Sequence, residues 1–153
     1  MNAHVSQNPA SNPVLNANYR YLEASINSAS PEELIVKTYD GLLLFARQAI
    51  EVMESRPSDI QARHDLLRRA QRACALLMGS LRLDLDSDIP GNLFRIYEFW
   101  HHQLVAANMQ GDPGKVRELL PLVAGMRETW VEVIKRYRAE KAAAGQQLGA
   151  LVG

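Results

Sequence analysis

The chain has little of what reactive chemistry needs. Among its 153 residues there is one cysteine, Cys74, so no internal disulfide can form, which suits a reducing cytosol. There are four histidines. His4 and His64 stand alone, and the adjacent His101 and His102 point about 100° apart around a helix, so they cannot chelate one ion together. No Glu-x-x-His pair of the di-iron bundle type is present, and neither a metal nor another cofactor is expected. Aromatic residues make up 7% of the chain, and lysine plus arginine balances aspartate plus glutamate at 17 each. That balance gives no case for nucleic-acid or membrane-surface binding. No apolar run approaches the ~20 residues that span a bilayer, so no membrane insertion is expected. Met1 to Asn16 lacks a basic start followed by an apolar stretch, so no secretory leader is expected. Strand-like alternation is absent too.

Two motifs come close to chemistry and fail. Asp84-x-Asp86-x-Asp88 opens like a calcium loop, but Ile89 stands where the loop needs glycine and Arg95 where it needs glutamate. A solvated linker is the better reading. Arg63, Arg68, Arg69 and Arg72 form a basic run with no interleaved aromatic platform, which reads as a solvated helix face. Cys74 lies on an apolar stripe and reads as a small core residue rather than a nucleophile.

What is present is helix, and it begins at a fixed point. In Ser30-Pro31-Glu32-Glu33, Ser30 can cap the first turn, Pro31 loses nothing at the first helical position, and Glu33 can reach back to complete a capping box. Glu32 and Glu33 also complement the positive end of the helix dipole. Helix one is expected from about Ser30 to Glu54, with Arg56-Pro57 ending it. Ser58-Asp59-Ile60-Gln61 offers a weaker capping box for helix two, whose apolar side carries Leu66, Leu67, Ala70, Ala73, Cys74, Leu77 and Leu81. Helix three starts within a residue or two of Pro90, with Leu93, Ile96, Tyr97, Trp100, Leu104 and Ala107. Asp112 and Pro113 start helix four, which carries Val116, Leu119, Val123, Met126, Trp130, Ile134 and Tyr137. Four long helices on short connections predict an all-α, antiparallel up-down four-helix bundle. Residues 1–18, rich in Asn, Ser, Ala and Pro, read as a disordered tail. Tyr19 to Ser28 reads as an arm docked on the body, residues 19–138 as the domain, and residues 139–153 as a flexible tail.

The bundle has more apolar residues than it needs. A core-facing helix uses about three in seven. Helix one adds Val36, Leu43, Leu44 and Ile50, helix two adds Leu76 and Leu83, and helix three adds Phe94, Phe99 and Val105. Val36, Leu43 and Ile50 recur by sevens, as do Leu76 and Leu83. Such a second stripe either widens the core or forms a groove for another helix, and spacing alone does not choose between them.

Ordered residues along the chain carry a resemblance. They are Tyr21, the stretch Ile26-Asn27-Ser28-Ala29-Ser30-Pro31-Glu32-Glu33-Leu34-Ile35, then Tyr39-Asp40-Gly41, Asn92-Leu93, Ile96-Tyr97-Glu98-Phe99, Leu104-Val105-Ala106-Ala107-Asn108 and Arg127-Glu128-Thr129-Trp130. Over roughly residues 19 to 137 the sequence resembles the flagellar secretion chaperones of the FliS family. It departs from the family at Lys37-Thr38, where an apolar pair is usual, and at His102-Gln103, where a basic pair is common.

The resemblance implies a cytosolic, non-enzymatic chaperone. Its partner would be the C-terminal segment of flagellin, kept from polymerising early and presented to the flagellar export gate. It implies an N-terminal arm, including Tyr21, that lies on the body and yields to the client. Tyr21 and Ile26 are the expected arm contacts, and Leu43, Leu76, Leu83, Phe94 and Val105 the expected groove. The competing expectation is a non-catalytic helical module that forms a client-free homodimer, or holds another protein, through the same stripes.

Overall fold

The structure, a computed structural model, describes residues 17–18, 20–24 and 29–152. Its first long helix, α1, spans Pro31–Ser55 and starts as the sequence dictates. The Glu33 N–H donates to Ser30 Oγ and the Ser30 N–H donates to Glu33 Oε2, each at 3.3 Å. Helix α2 spans Ile60–Gly79. Its cap differs from expectation: the Asp59 carboxylate, not Ser58, accepts from the Ala62 N–H at 3.1 Å. A charged acceptor one position along does the same work, and it also pairs with Arg56 at 3.2 Å. Helix α3 spans Ile89–Gln110 and ends on Gly111 at φ 63, a left-handed C-cap that favours glycine. Helix α4 spans Pro113–Val152, and Asp112 Oδ1 accepts from the Gly114 N–H at 2.9 Å.

The four long helices close into a ring in which α1 packs on α2 and α4, and α3 on α2 and α4. Polar ties between neighbours run in opposite chain order, which fixes the up-down topology. Glu54 at the end of α1 meets Arg117 at the start of α4. Asp40 meets Arg127 at 2.6 Å, and Glu33 meets Arg138 at 3.2 Å. Between α2 and α3, the Arg63 Nε donates to Asn108 Oδ1 at 3.3 Å. The axis of the bundle is filled by Tyr39, Leu42, Ala49, Leu67, Ala70, Cys74, Tyr97, Trp100, Leu104, Ala107 and Val116, each at most 1% exposed. The all-α bundle is therefore the observed fold.

One boundary differs from the sequence reading. α4 continues through residues 139–152 as an exposed helix where fraying is expected. Ala, Glu, Lys, Gln and Leu sustain it, and single glycines at 145 and 149 cost about 1 kcal/mol each without ending it. The tail expected at 1–18 lies outside the described residues except for 17–18, which are helical.

Candidate docking groove

Of the four neighbouring pairs in the ring, α3 and α4 pack least closely. Two residues of α4 with little to offer the facing helix border this opening. Pro121 inside the helix supplies no N–H to the carbonyl one turn back. One turn further on, Gly125 has no side chain, and a Cβ placed there would meet nothing within 4 Å. Between the two helices lies an open groove of about 560 Å³. Ile96, Phe99 and Trp100 line it from α3, Pro121, Leu122, Gly125 and Met126 from α4, and Arg95 stands at its edge. Phe99 is 52% and Leu122 50% exposed, large apolar side chains with half their surface in water.

The groove has a stiff floor. Trp100 is 1% exposed and meets Tyr39 and Tyr97 edge-on or tilted, with ring centroids 6.1 and 5.4 Å away. The Tyr39 and Tyr97 hydroxyls are 2.7 Å apart, and the Trp130 Nε1–H donates to Tyr97 Oη at 3.2 Å. Burial raises both tyrosine pKa values above the ordinary range. The hydrogen bond to Tyr97 raises Tyr39 further, while those from Tyr39 and Trp130 oppose the rise at Tyr97. Both hydroxyls therefore stay neutral, and the network adds rigidity without charge. Cys74, also in the core, has its thiol pushed up to about 12 by burial and is a thiol, not a thiolate, at neutral pH. Among the described residues, no three His, Cys, Asp or Glu side chains are placed to hold a metal. Physically this site can accept an apolar helix face.

The structure distributes the expected site residues over different places. Leu43 is 6% exposed and belongs to the core, and so does Ile50 at 9%. With Val36 half-buried, the stripe by sevens on α1 widens the core instead of forming a groove. Leu76 is 66% and Leu83 58% exposed, but α2 ends at Gly79, so they form no continuous helical stripe, and neither lines the α3–α4 groove. Phe94 and Val105 are half-buried. Helical spacing puts them on the side of α3 that carries Asn108 toward α2, away from α4. Tyr21 is 73% exposed, and Ile26 lies outside the described residues.

The arm does meet the body, through one of its apolar side chains. Leu22 packs against the core cluster beside Gly41, where an added Cβ would lie 3.2 Å from Leu22 Cδ2. A glycine inside an otherwise strong helix was the available signal. For the groove, the signals were Phe99 in the apolar surplus and Pro121 within helix four.

Comparison with known proteins agrees with this architecture. The family model described as Flagellar protein FliS matches residues 14–137. The chain belongs to the FliS family. The flagellar secretion chaperone FliS of Bacillus subtilis (strain 168) is 27% identical over 125 residues, covering 82% of this chain and 91% of its own. FliSB, a flagellar secretion chaperone of Pseudomonas aeruginosa, is 31% identical over 113 residues, covering 71% and 85%. A crystal structure of a bacterial flagellar chaperone superposes with a TM-score of 0.63 at 17% identity, over 81% of this chain and 99% of that one, which is a likeness of fold. No helix among the described residues is long and apolar enough to cross a membrane.

Proposed function

We propose that this FliS-family chain is a cytosolic, non-catalytic export chaperone that holds the C-terminal segment of flagellin in the α3–α4 groove. It keeps the segment from premature polymerisation and presents it to the flagellar export gate. The observation that carries the proposal is the groove itself: a preformed apolar opening in a well-packed bundle, with Phe99 and Leu122 half in water. A client segment that is disordered alone and helical when packed gains about 25 cal/mol for each Å² of apolar surface it covers there. The cost of ordering the segment offsets much of this, so the complex can hold the client and still give it up. Arg95 at the groove's edge favours a client helix with an acidic residue beside its apolar face.

The test is size exclusion with light scattering on this chain mixed with the C-terminal region of flagellin from the same organism. A one-to-one complex, with helix gained by the client in circular dichroism, is the expected result. No complex at tens of micromolar would refute the assignment of this client and leave the fold unaffected.

A further inference from the structure

On its other side α4 meets α1 along a seam held by polar pairs. Asp40 holds Arg127 at 2.6 Å, and nearer the start of α1 Glu33 holds Arg138 at 3.2 Å. Along this stretch the seam opens into a shallow depression of about 520 Å³, closed at one end by the Glu33–Arg138 pair. Its floor is apolar: Val36 and Val131 are half-buried, and Ile134 is buried. Its rim is basic, with Lys37 contributed by α1 and Lys135 by α4. The register set by the two pairs puts these lysines within about one helical turn of the same height. The carboxylates near them along each helix are engaged elsewhere. Glu33 accepts from the Ser30 N–H and from Arg138, and Asp40 accepts from Arg127. Glu128 also pairs with Arg127, and Glu132 pairs with Arg136 at 3.5 Å. Among the described residues, Lys37 and Lys135 have no ion-pair partner. The acids of the seam are thus matched by arginines, and two lysines over an apolar floor carry the charge left over.

We propose that the α1–α4 seam docks an acidic, amphipathic peptide segment of a partner protein other than the client. Such a segment lays an apolar side chain on Val36, Val131 and Ile134 and sets a carboxylate beside each lysine. Charge complementarity selects this occupant. A basic or neutral segment would leave Lys37 and Lys135 unpaired, and a purely polar one would leave the floor wet. A nucleic acid fits poorly. The two arginines of the seam, whose planar forks suit phosphate, are already committed to Asp40 and Glu33, and no aromatic side chain lines the depression for a base to stack on. An anionic membrane fits no better, because two lysines at about 1 kcal/mol each hold a bilayer only weakly. The α3–α4 groove and this seam lie on different sides of α4, and neither Phe99 nor Leu122 lines the seam. The chain can therefore carry a client in one site and a partner in the other. The contact is small and its ion pairs are exposed, so the complex is weak and salt-sensitive.

Fluorescence anisotropy of the full chain with a short dye-labelled helical peptide tests this, the peptide carrying two leucines one turn apart with glutamates on both flanks. Binding at about 10–100 μM is expected at low salt, weakened about tenfold at high salt. The same peptide with lysine for glutamate, or with glutamine for leucine, is expected to bind at least about tenfold more weakly. Lys37→Gln combined with Lys135→Glu removes the binding while the flagellin segment still binds in calorimetry. Lys135→Glu alone, at an exposed position, weakens the peptide about fivefold or more with an unchanged thermal melt. Phe99→Ala leaves peptide binding as in the parent, and a saturating amount of the flagellin C-terminal region does not displace the peptide. The proposal is overturned by no binding up to about 1 mM, by equal binding of the lysine peptide, or by binding indifferent to the lysine variants. Displacement by flagellin would assign the seam to the client instead, and loss of binding in Phe99→Ala would place the peptide in the α3–α4 groove; either overturns a separate site.

Discussion

Tyr39 on α1 and Tyr97 on α3 join hydroxyls at 2.7 Å across the inside of the bundle, and Tyr97 Oη also accepts from the Trp130 Nε1–H on α4. Three helices converge on one oxygen. α1 and α3 are not neighbours in the ring, so this contact braces the bundle through its interior, directly behind the floor of the groove.

The first prediction follows from which groups are left without partners. Tyr97→Phe strips a partner from both the Tyr39 hydroxyl and the Trp130 N–H, whereas Tyr39→Phe leaves Tyr97 Oη still accepting from Trp130. Leaving a buried polar group unpaired costs about 1–3 kcal/mol. Urea denaturation is expected to show a larger loss for Tyr97→Phe than for Tyr39→Phe; equal losses would contradict the shared-oxygen reading.

Core and groove residues part company under truncation. Leu43→Ala opens a cavity in the core and is expected to cost about 2–5 kcal/mol. Phe99→Ala removes a half-exposed ring and is expected to cost under about 1.5 kcal/mol, while weakening the flagellin segment about tenfold or more, equivalent to ~1.4 kcal/mol. Thermal melts and titration calorimetry on the two variants, read together, check the division. If Phe99→Ala binds like the parent, the groove is not the client's seat.

Gly125 gives a way to fill the groove without disturbing the fold. Its missing side chain would point into open space. Gly125→Glu places a charged chain among apolar walls and removes a glycine from a helix interior, a change worth about 0.5–1 kcal/mol in favour of the helix. The expected outcome is a melting temperature at or above the parent's together with loss of client binding by calorimetry. Retained binding would locate the client on another face.

Gly41 tests the arm in the same manner. A bulky residue there meets Leu22, so Gly41→Ile is expected to displace the arm while leaving the bundle folded. Hydrogen exchange read over residues 20–24 should quicken while the centres of α1 and α3 stay protected. Unchanged exchange would mean that Leu22 does not hold the arm in place.

The pH dependence of stability has a definite sign. The buried Cys74 thiol is pushed up to about 12, whereas an unfolded thiol titrates near ~8.5. The folded state keeps the proton where the unfolded state releases it, so the stability gained by burying the thiol is complete below about pH 8.5 and is lost as pH rises from there toward about 12, with a slope of at most ~1.4 kcal/mol per pH unit. The raised pKa values of Tyr39 and Tyr97 add to the decline above about pH 10. In Cys74→Ala the fall of melting temperature between about pH 8.5 and 10 is expected to be shallower than in the parent. Parallel slopes would show that the thiol contributes nothing.

The sequence by itself determined what is local. The Ser30–Glu33 capping box, the proline starts of α1 and α4, and the number, order and apolar faces of the long helices follow from side chains within a few residues of one another along the chain. The ordered motifs also carried the family resemblance. Which part of the apolar surplus stays exposed was decided by tertiary packing. Val36, Leu43 and Ile50 have the spacing of a groove, yet α4 packs over that side of α1, so Leu43 and Ile50 go into the core. Phe99 has no spacing that sets it apart, and it is half exposed in a groove whose facing side is bordered by Pro121 and Gly125, more than twenty positions further along the chain. Leu76 and Leu83 stay in water for a different reason: α2 ends between them, on a side that no described helix covers. A periodic pattern records which residues share a face of one helix. Whether that face is covered depends on the shape of a neighbour remote in sequence, which no local pattern contains.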